Sequence, residues 1–297
     1  MRYFFIVNGR EDKQSILPRI ESQLEGLDLQ YDIYVTTGVG DGTRFTRIWC
    51  DLHPQEKACF VACGGSGTVN EVASGIVGFE GKSMAVLAYG TTNDFIKYYP
   101  GRDFRSVRDL LDGEDCRIDI IKANDSYSVN MINCGFDEAV AYRADRYIQE
   151  GRSNAYLKGV LGALLFSRRH SIKVVADGVP LNRRNLLLCT LSNGRYCGGQ
   201  FLAAPRAVND DGLIDVCLFH TMSLLMFGLV FKRYMKGLHL EDRLCRRHLE
   251  YVQARHVELR SKDLIYLSPD GEIVAARNFT VDLLPKALTL RLPKAND

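Results

Sequence analysis

The stretch KACFVACGGSGTVNEV, residues 57–72, decides the fold. An apolar run at 58–63 leads directly into Gly64, Gly65 and Gly67, and a helical pattern begins just beyond them. Glycine lets the backbone turn with positive φ and approach a ligand closely. The helix N-terminus that follows offers N–H groups and a positive dipole end, a natural seat for phosphate. A tight strand-to-helix turn that binds nothing would use the same glycines, but Ser66, Thr68 and Asn70 supply more donors than a turn needs. Three familiar loops do not fit. GxGxxG requires glycine where Asn70 stands, and Gly81-Lys82-Ser83 lacks the upstream glycine of GxxxxGK[ST], since residue 76 is isoleucine. GxSxG nearly matches at 64–68, with Thr68 in the last place. That near match keeps open a serine hydrolase with Ser66 as nucleophile, its histidine drawn from His170, His220, His239, His248 or His256.

Outward from this loop, short apolar runs at 3–7, 31–35, 58–63 and 84–88 alternate with helical patterns at 14–24, 43–50 and 69–77. Strand and helix in alternation predict a parallel sheet covered on both faces, with ligands at the carboxyl ends of its strands. Beyond residue 117 the texture becomes β-rich, with runs at 117–123, 128–134, 172–176, 186–191, 213–219, 257–259 and 264–268. Helical insertions are expected at 138–168 and 223–255. The expected organisation is an α/β nucleotide-binding domain over 1–115 and a mostly β, sandwich-like domain over 116–297, whose last residues have the option of returning to the first.

A chain of 297 residues suits two domains at about 150 residues each. Its 46% hydrophobic and 25% charged residues are those of an ordinary folded protein. The net charge of +2 excludes a nucleic-acid binder working through whole-chain charge. Nine cysteines, odd in number and without a CxxC pair, argue against a zinc site or a disulfide framework and for a reducing cytoplasm. The longest apolar stretch, 222–231, is about half the roughly 20 residues a membrane span requires.

Five ordered segments carry a family resemblance. GGSGTVNE at 64–71 resembles the GGDGTxNE signature of the diacylglycerol kinase catalytic domain family, soluble bacterial lipid kinases related to sphingosine kinases. TTGVGD at 36–41, LAYGTTNDF at 87–95, APRAVNDDGLID at 204–215 and DGE at 270–272 resemble four further motifs of the family in order and spacing. The resemblance implies an NAD kinase-like α/β domain, a β-sandwich-like second domain and an active site in the cleft between them. It implies transfer of phosphate from ATP to a lipid hydroxyl, most simply that of diacylglycerol. By the same resemblance the ATP contacts fall on Thr36, on Gly64, Gly65, Ser66, Gly67, Thr68, Val69 and Asn70, and on Thr91. The general base falls on Glu272, and a Mg²⁺ site on the Asp211 carboxylate with the carbonyls of Val208 and Leu213. Asp211-Gly212 and Asp270-Gly271 also read as simple turns.

One departure matters. Ser66 stands where the signature has aspartate, an oxygen without the charge that would help hold magnesium near the ATP phosphates. A working kinase, a kinase for an unusual acceptor and a nucleotide-binding protein with weakened catalysis all follow from it. The segment 232–260 carries eight Lys or Arg against four Asp or Glu, and Leu244, Cys245, Leu249 and Val252 share one face if it is helical. A solvated basic helix and a peripheral contact with the lipid substrate's membrane both fit this pattern.

Overall fold

The computed structural model describes residues 1–10, 15–90, 93–136, 171–181, 185–199 and 201–295. The chain divides into two units, Met1–Ile118 with Lys286–Asp297, and Asp119–Pro285.

In the first unit, strand alternation serves two layers of helices. β1 (Arg2–Val7), β2 (Tyr31–Val35), β3 (Ala58–Gly64) and β4 (Lys82–Ala88) run parallel in the order β2-β1-β3-β4. Tyr3, Phe5, Val7, Cys59, Val61 and Cys63 face α1 (Ile16–Leu24) and α4 (Val107–Leu111), burying Ile16, Ile20, Leu24, Val107 and Leu110. On the other face Phe4 stacks on Phe60 at 5.1 Å between ring centroids and meets Trp49 of α2 (Asp41–Leu52) at 4.8 Å. All seven residues of β3 are buried, as expected for a parallel strand covered on both sides. α3 (Ser66–Ile76) lies so close to α2 that a Cβ on Gly75 would fall 1.7 Å from Thr46 Oγ1. The Gly81-Lys82-Ser83 triplet enters β4, and the Lys82 amine donates to the carbonyl of His53 at 2.8 Å, at the end of α2.

The chain enters the second unit along β5 (Glu114–Ala123), which forms a hairpin with β6 (Ser126–Ser128). There follow β7 (Met131–Phe136), β8 (Lys173–Ala176), β9 (Val179–Pro180), β10 (Leu186–Ser192), β11 (Tyr196–Cys197), β12 (Phe201–Leu202) and β13 (Ile214–His220). α5 (Leu224–Met235) precedes β14 (Leu249–Ala254), β15 (His256–Pro269) and β16 (Val274–Leu292). The order is β14-β13-β10-β7-β15-β16, antiparallel throughout, with β8 also on β15. Period-2 alternation again divides the faces: Ile132, Cys134, Val216 and Leu218 join one core, while Met131, Cys217 and Phe219 pack beneath Val230 and Tyr234 of α5. Beyond Pro285, β16 is part of the first unit, where Thr289 and Leu290 pair in parallel with Ser83 and Met84 of β4.

Two expectations change. The helix expected over 223–255 ends at Met235; Leu249 and Val252 lie instead on β14, opposite Phe219 and Val216 of β13. Their spacing suits either element, and pairing with a distant strand decides. The runs at 257–259 and 264–268 are one strand, β15, with a register shift between Arg260 and Ile265. The insertion expected at 138–168 lies outside the described residues.

Candidate active site

In the first unit the ends of the parallel strands are tied together by polar groups. Asn8 follows β1, Thr36 follows β2, Gly64 closes β3 and Gly90 lies just past β4. Asn8 Nδ2 donates to Thr68 Oγ1 (3.3 Å), Gly9 N to Thr36 Oγ1 (3.2 Å), Thr36 N to the Val7 carbonyl (2.9 Å) and Gly90 N to the Gly64 carbonyl (2.9 Å). Two glycines are sterically required. A Cβ on Gly90 would stand 2.2 Å from Gly65 Cα, and one on Gly64 would stand 2.4 Å from Thr68 Oγ1.

Gly65 is the N-cap of α3, in extended conformation and without a side-chain cap, so the first turn presents N–H groups that a phosphate can take. Ser66 is the first helical residue and half-buried; Gly67 is exposed, with open space around its missing Cβ. Val69 plays a different part: it is buried and its N–H closes the first helical turn on the Gly65 carbonyl. Asn70 is buried too, and its Oδ1 has no partner among the described residues, leaving an acceptor for a bound group or water. Thr91 lies outside the described residues. A phosphate or other anion fits this helix terminus and its glycine-lined approach.

Two carboxylates that the sequence did not single out shape the neighbouring loop. Glu71 accepts from Gly40 N and Gly42 N, both at 2.9 Å, while its carbonyl accepts from Thr43 Oγ1. It thereby binds the start of α2 to α3, and burial raises its pKa. Asp41 is buried and accepts from Thr37 N, Thr37 Oγ1, Tyr34 Oη and Arg44. These bonds, that from Thr37 N foremost, hold it down at about 2. Thr36 is thus followed by a loop secured at both ends. Both carboxylates lie inside quoted motifs, but nothing local shows which N–H groups they accept.

In the second unit, Glu272 follows a tight turn after β15 in which Asp270 and Gly271 have φ of 45° and 100°. Glu272 is half-buried, and its N–H donates to the Pro269 carbonyl at 2.9 Å. Asp270 is more than a turn residue. Its carboxylate accepts from the consecutive N–H groups of Val129 (2.7 Å), Asn130 (3.3 Å) and Met131 (3.0 Å). Burial nevertheless pushes its pKa up to about 6.

The same strand start reaches the expected metal loop. Asn193 Nδ2 donates to the carbonyls of Val129 and Asp119, both at 2.8 Å, and Asp119 Oδ2 accepts from Gly212 N at 2.7 Å. Asn193 was not legible as a site residue, because its role is to bridge two carbonyls distant in sequence. Val208, Asp211 and Leu213 lie in the loop before β13, and Asp211 Oδ1 accepts from Leu213 N at 3.0 Å. Burial foremost, then nearby Asp119 and Asp210, raises the Asp211 pKa. A carboxylate and two carbonyls are hard-oxygen donors of the kind Mg²⁺ takes. Among the described residues no cluster of three His, Cys, Asp or Glu side chains forms a metal site, and the expected donor set does not require one.

The described histidines considered for a hydrolase all belong to the second unit, whereas Ser66 belongs to the first. His220 faces Glu250 at 2.8 Å, His256 faces Asp282 at 2.6 Å, and His239 is buried against Tyr234 and Phe219, its pKa lowered by burial to about 4. The His248 carbonyl accepts from His220 N at 2.9 Å. His170 lies outside the described residues.

Family models match both halves of the chain. The diacylglycerol kinase catalytic domain matches residues 2–123, and the YegS C-terminal NAD kinase beta sandwich-like domain matches residues 130–292. The chain belongs to the family that joins a diacylglycerol kinase catalytic domain to a YegS C-terminal domain. The family's α/β domain and β-sandwich-like domain are the architecture described above. The diacylglycerol kinase of Bacillus subtilis is 27% identical over 272 residues, covering 89% of this chain and 86% of its own. A protein of Chromohalobacter salexigens named "Probable lipid kinase YegS-like" is 27% identical over 303 positions, covering 99% and 94%. The crystal structure of a diacylglycerol kinase from Bacillus anthracis strain Sterne superposes with a TM-score of 0.69 at 20% identity, over 98% of this chain and 96% of that one, a likeness of fold. Among the described residues no helix of this family member is long and apolar enough to cross a membrane.

Proposed function

We propose that the protein transfers the γ-phosphoryl group of ATP to the hydroxyl of a membrane lipid of the diacylglycerol class. The observation that carries this reading is the meeting of Asn8, Thr36, Thr68 and Gly90 around the uncapped start of α3, where the backbone can hold a polyphosphate. Membership of a lipid-kinase family supports the acceptor class. Glu272 takes the proton of the lipid hydroxyl as that oxygen forms its bond to the γ-phosphorus; the bond to the bridging oxygen breaks and ADP leaves. The Asp270 turn holds the Glu272 backbone while Asn193 and Asp119 hold the 208–213 loop. Bound through Val208, Asp211 and Leu213, Mg²⁺ would supply positive charge and rigidity to that loop.

Radiolabelled ATP and Mg²⁺ are to be incubated with diacylglycerol, monoacylglycerol, phosphatidylglycerol, ceramide and sphingosine in mixed micelles. Phosphorylated diacylglycerol is expected, and Glu272→Gln should lower the rate by about 10²-fold or more, the scale of a general base. Nucleotide binding with transfer to none of these lipids would point instead to a member whose chemistry is weakened at Ser66.

A further inference from the structure

The outward stripe of α5 is apolar at one end and basic at the other, and both parts are exposed to solvent. Leu225, Gly228, Leu229, Lys232 and Lys236 recur at helical spacing and are all exposed, Leu225 by 79% and Leu229 by 39%. The opposite side already anchors the helix: Val230 and Tyr234 are buried, and Tyr234 meets Phe219 edge-on at 5.3 Å. Just past the helix, Leu238 is 52% exposed, followed by exposed Arg243, Arg246 and Arg247. The acidic side chains here are already engaged. Glu241 pairs with Arg206, and Asp242 pairs with Arg233 and accepts from Leu244 N, which folds this basic turn beside the end of α5. Lys232, Lys236, Arg243 and Arg247 have no ion-pair partner among the described residues.

We propose that Leu225 and Leu229, flanked by Lys232, Lys236, Arg243 and Arg247, form a docking surface for an anionic phospholipid bilayer. Leucines at this exposure gain by entering the acyl boundary, and amines on the same stripe are set to meet lipid phosphates. The two ends are about 16 Å apart along the helix axis, so the N-terminal half of α5 dips while its C-terminal half stays at headgroup level. A second copy of the chain is a poorer occupant, since the stripe has no carboxylate to answer the lysines. The surface shares no residue with the assigned catalytic and nucleotide groups.

The test is co-sedimentation of the full chain, without nucleotide, with vesicles of phosphatidylcholine alone or with about a third phosphatidylglycerol. Binding is expected only to the anionic vesicles, weakening as salt rises. Lys232→Gln with Lys236→Gln should weaken it about 30-fold, and Leu225→Ser with Leu229→Ser at least about tenfold. Melting by circular dichroism should match wild type for both pairs, as the changed side chains are exposed. Transfer to a short-chain, water-soluble diacylglycerol should be unchanged in them, so loss of docking is distinguished from failure of the phosphotransfer reading. Absence of wild-type binding, equal binding of both double variants, or a wild-type dimer in light scattering that Leu225→Ser dissociates without altering vesicle binding would overturn the proposal.

Discussion

Ser66 is the first residue of α3, where a carboxylate would meet the positive end of the helix dipole. Ser66→Asp is therefore expected to stabilise the fold by about 0.3–1 kcal/mol, read from denaturant unfolding. Phosphate transfer should also rise if the missing charge limits metal support; a more stable variant with an unchanged rate would show that only the helix senses it. Asp270 makes a second residue-level prediction. Its folded carboxyl titrates at about 6 against an ordinary 3.8, so between these values the native state binds more protons than the unfolded one. Its contribution is fullest below about 4 and declines as pH rises through 6. Asp270→Asn should remove that decline from unfolding curves taken between pH 4 and 7. It should also lower kcat, because an amide NH₂ would face N–H donors of 129–131. A variant with the wild-type pH slope would show that the carboxyl does not titrate there.

Among the elements, α2 and α3 depend on one contact that neither helix provides alone. Glu71 accepts two N–H groups at the start of α2, and Gly75 lets the helices close on Thr46. Glu71→Ala leaves those donors without their acceptor, a loss of about 2 kcal/mol. Nucleotide affinity should fall about tenfold as the loop after Thr36 loosens; equilibrium binding of a fluorescent ATP analogue measures it, and unchanged affinity would mean the loop is held from elsewhere. The strands of this unit could be read in advance, because buried parallel strands are continuous apolar runs between glycines. The segment after α5 could not. Leu249 and Val252 fit a helical face as well as a strand, and only pairing with Phe219 and Val216 distinguishes them.

For the molecule as a whole, the chain's return matters most. Leu288, Leu290 and Leu292 are buried in the first unit, Thr289 and Leu290 pair with β4, and Arg291 donates to the Leu110 and Leu111 carbonyls. Truncation after Pro285 is expected to destabilise the first unit by several kcal/mol, since it exposes three leucines' worth of core. Loss of ATP-analogue binding with a lowered melting temperature would show this; a truncated chain that binds normally would exclude it. The amino-acid sequence by itself determined the class of fold, the glycine loop at 64–70 and the family, because those depend on local periodicity and on short ordered motifs. Only the tertiary structure decided that Asp270 serves three backbone donors, that Asn193 bridges Val129 and Asp119, that Glu71 binds two helices and that α5 leaves a stripe uncovered. Each of these is set by groups far apart along the chain, whose meeting follows from strand pairing and burial rather than from any local pattern.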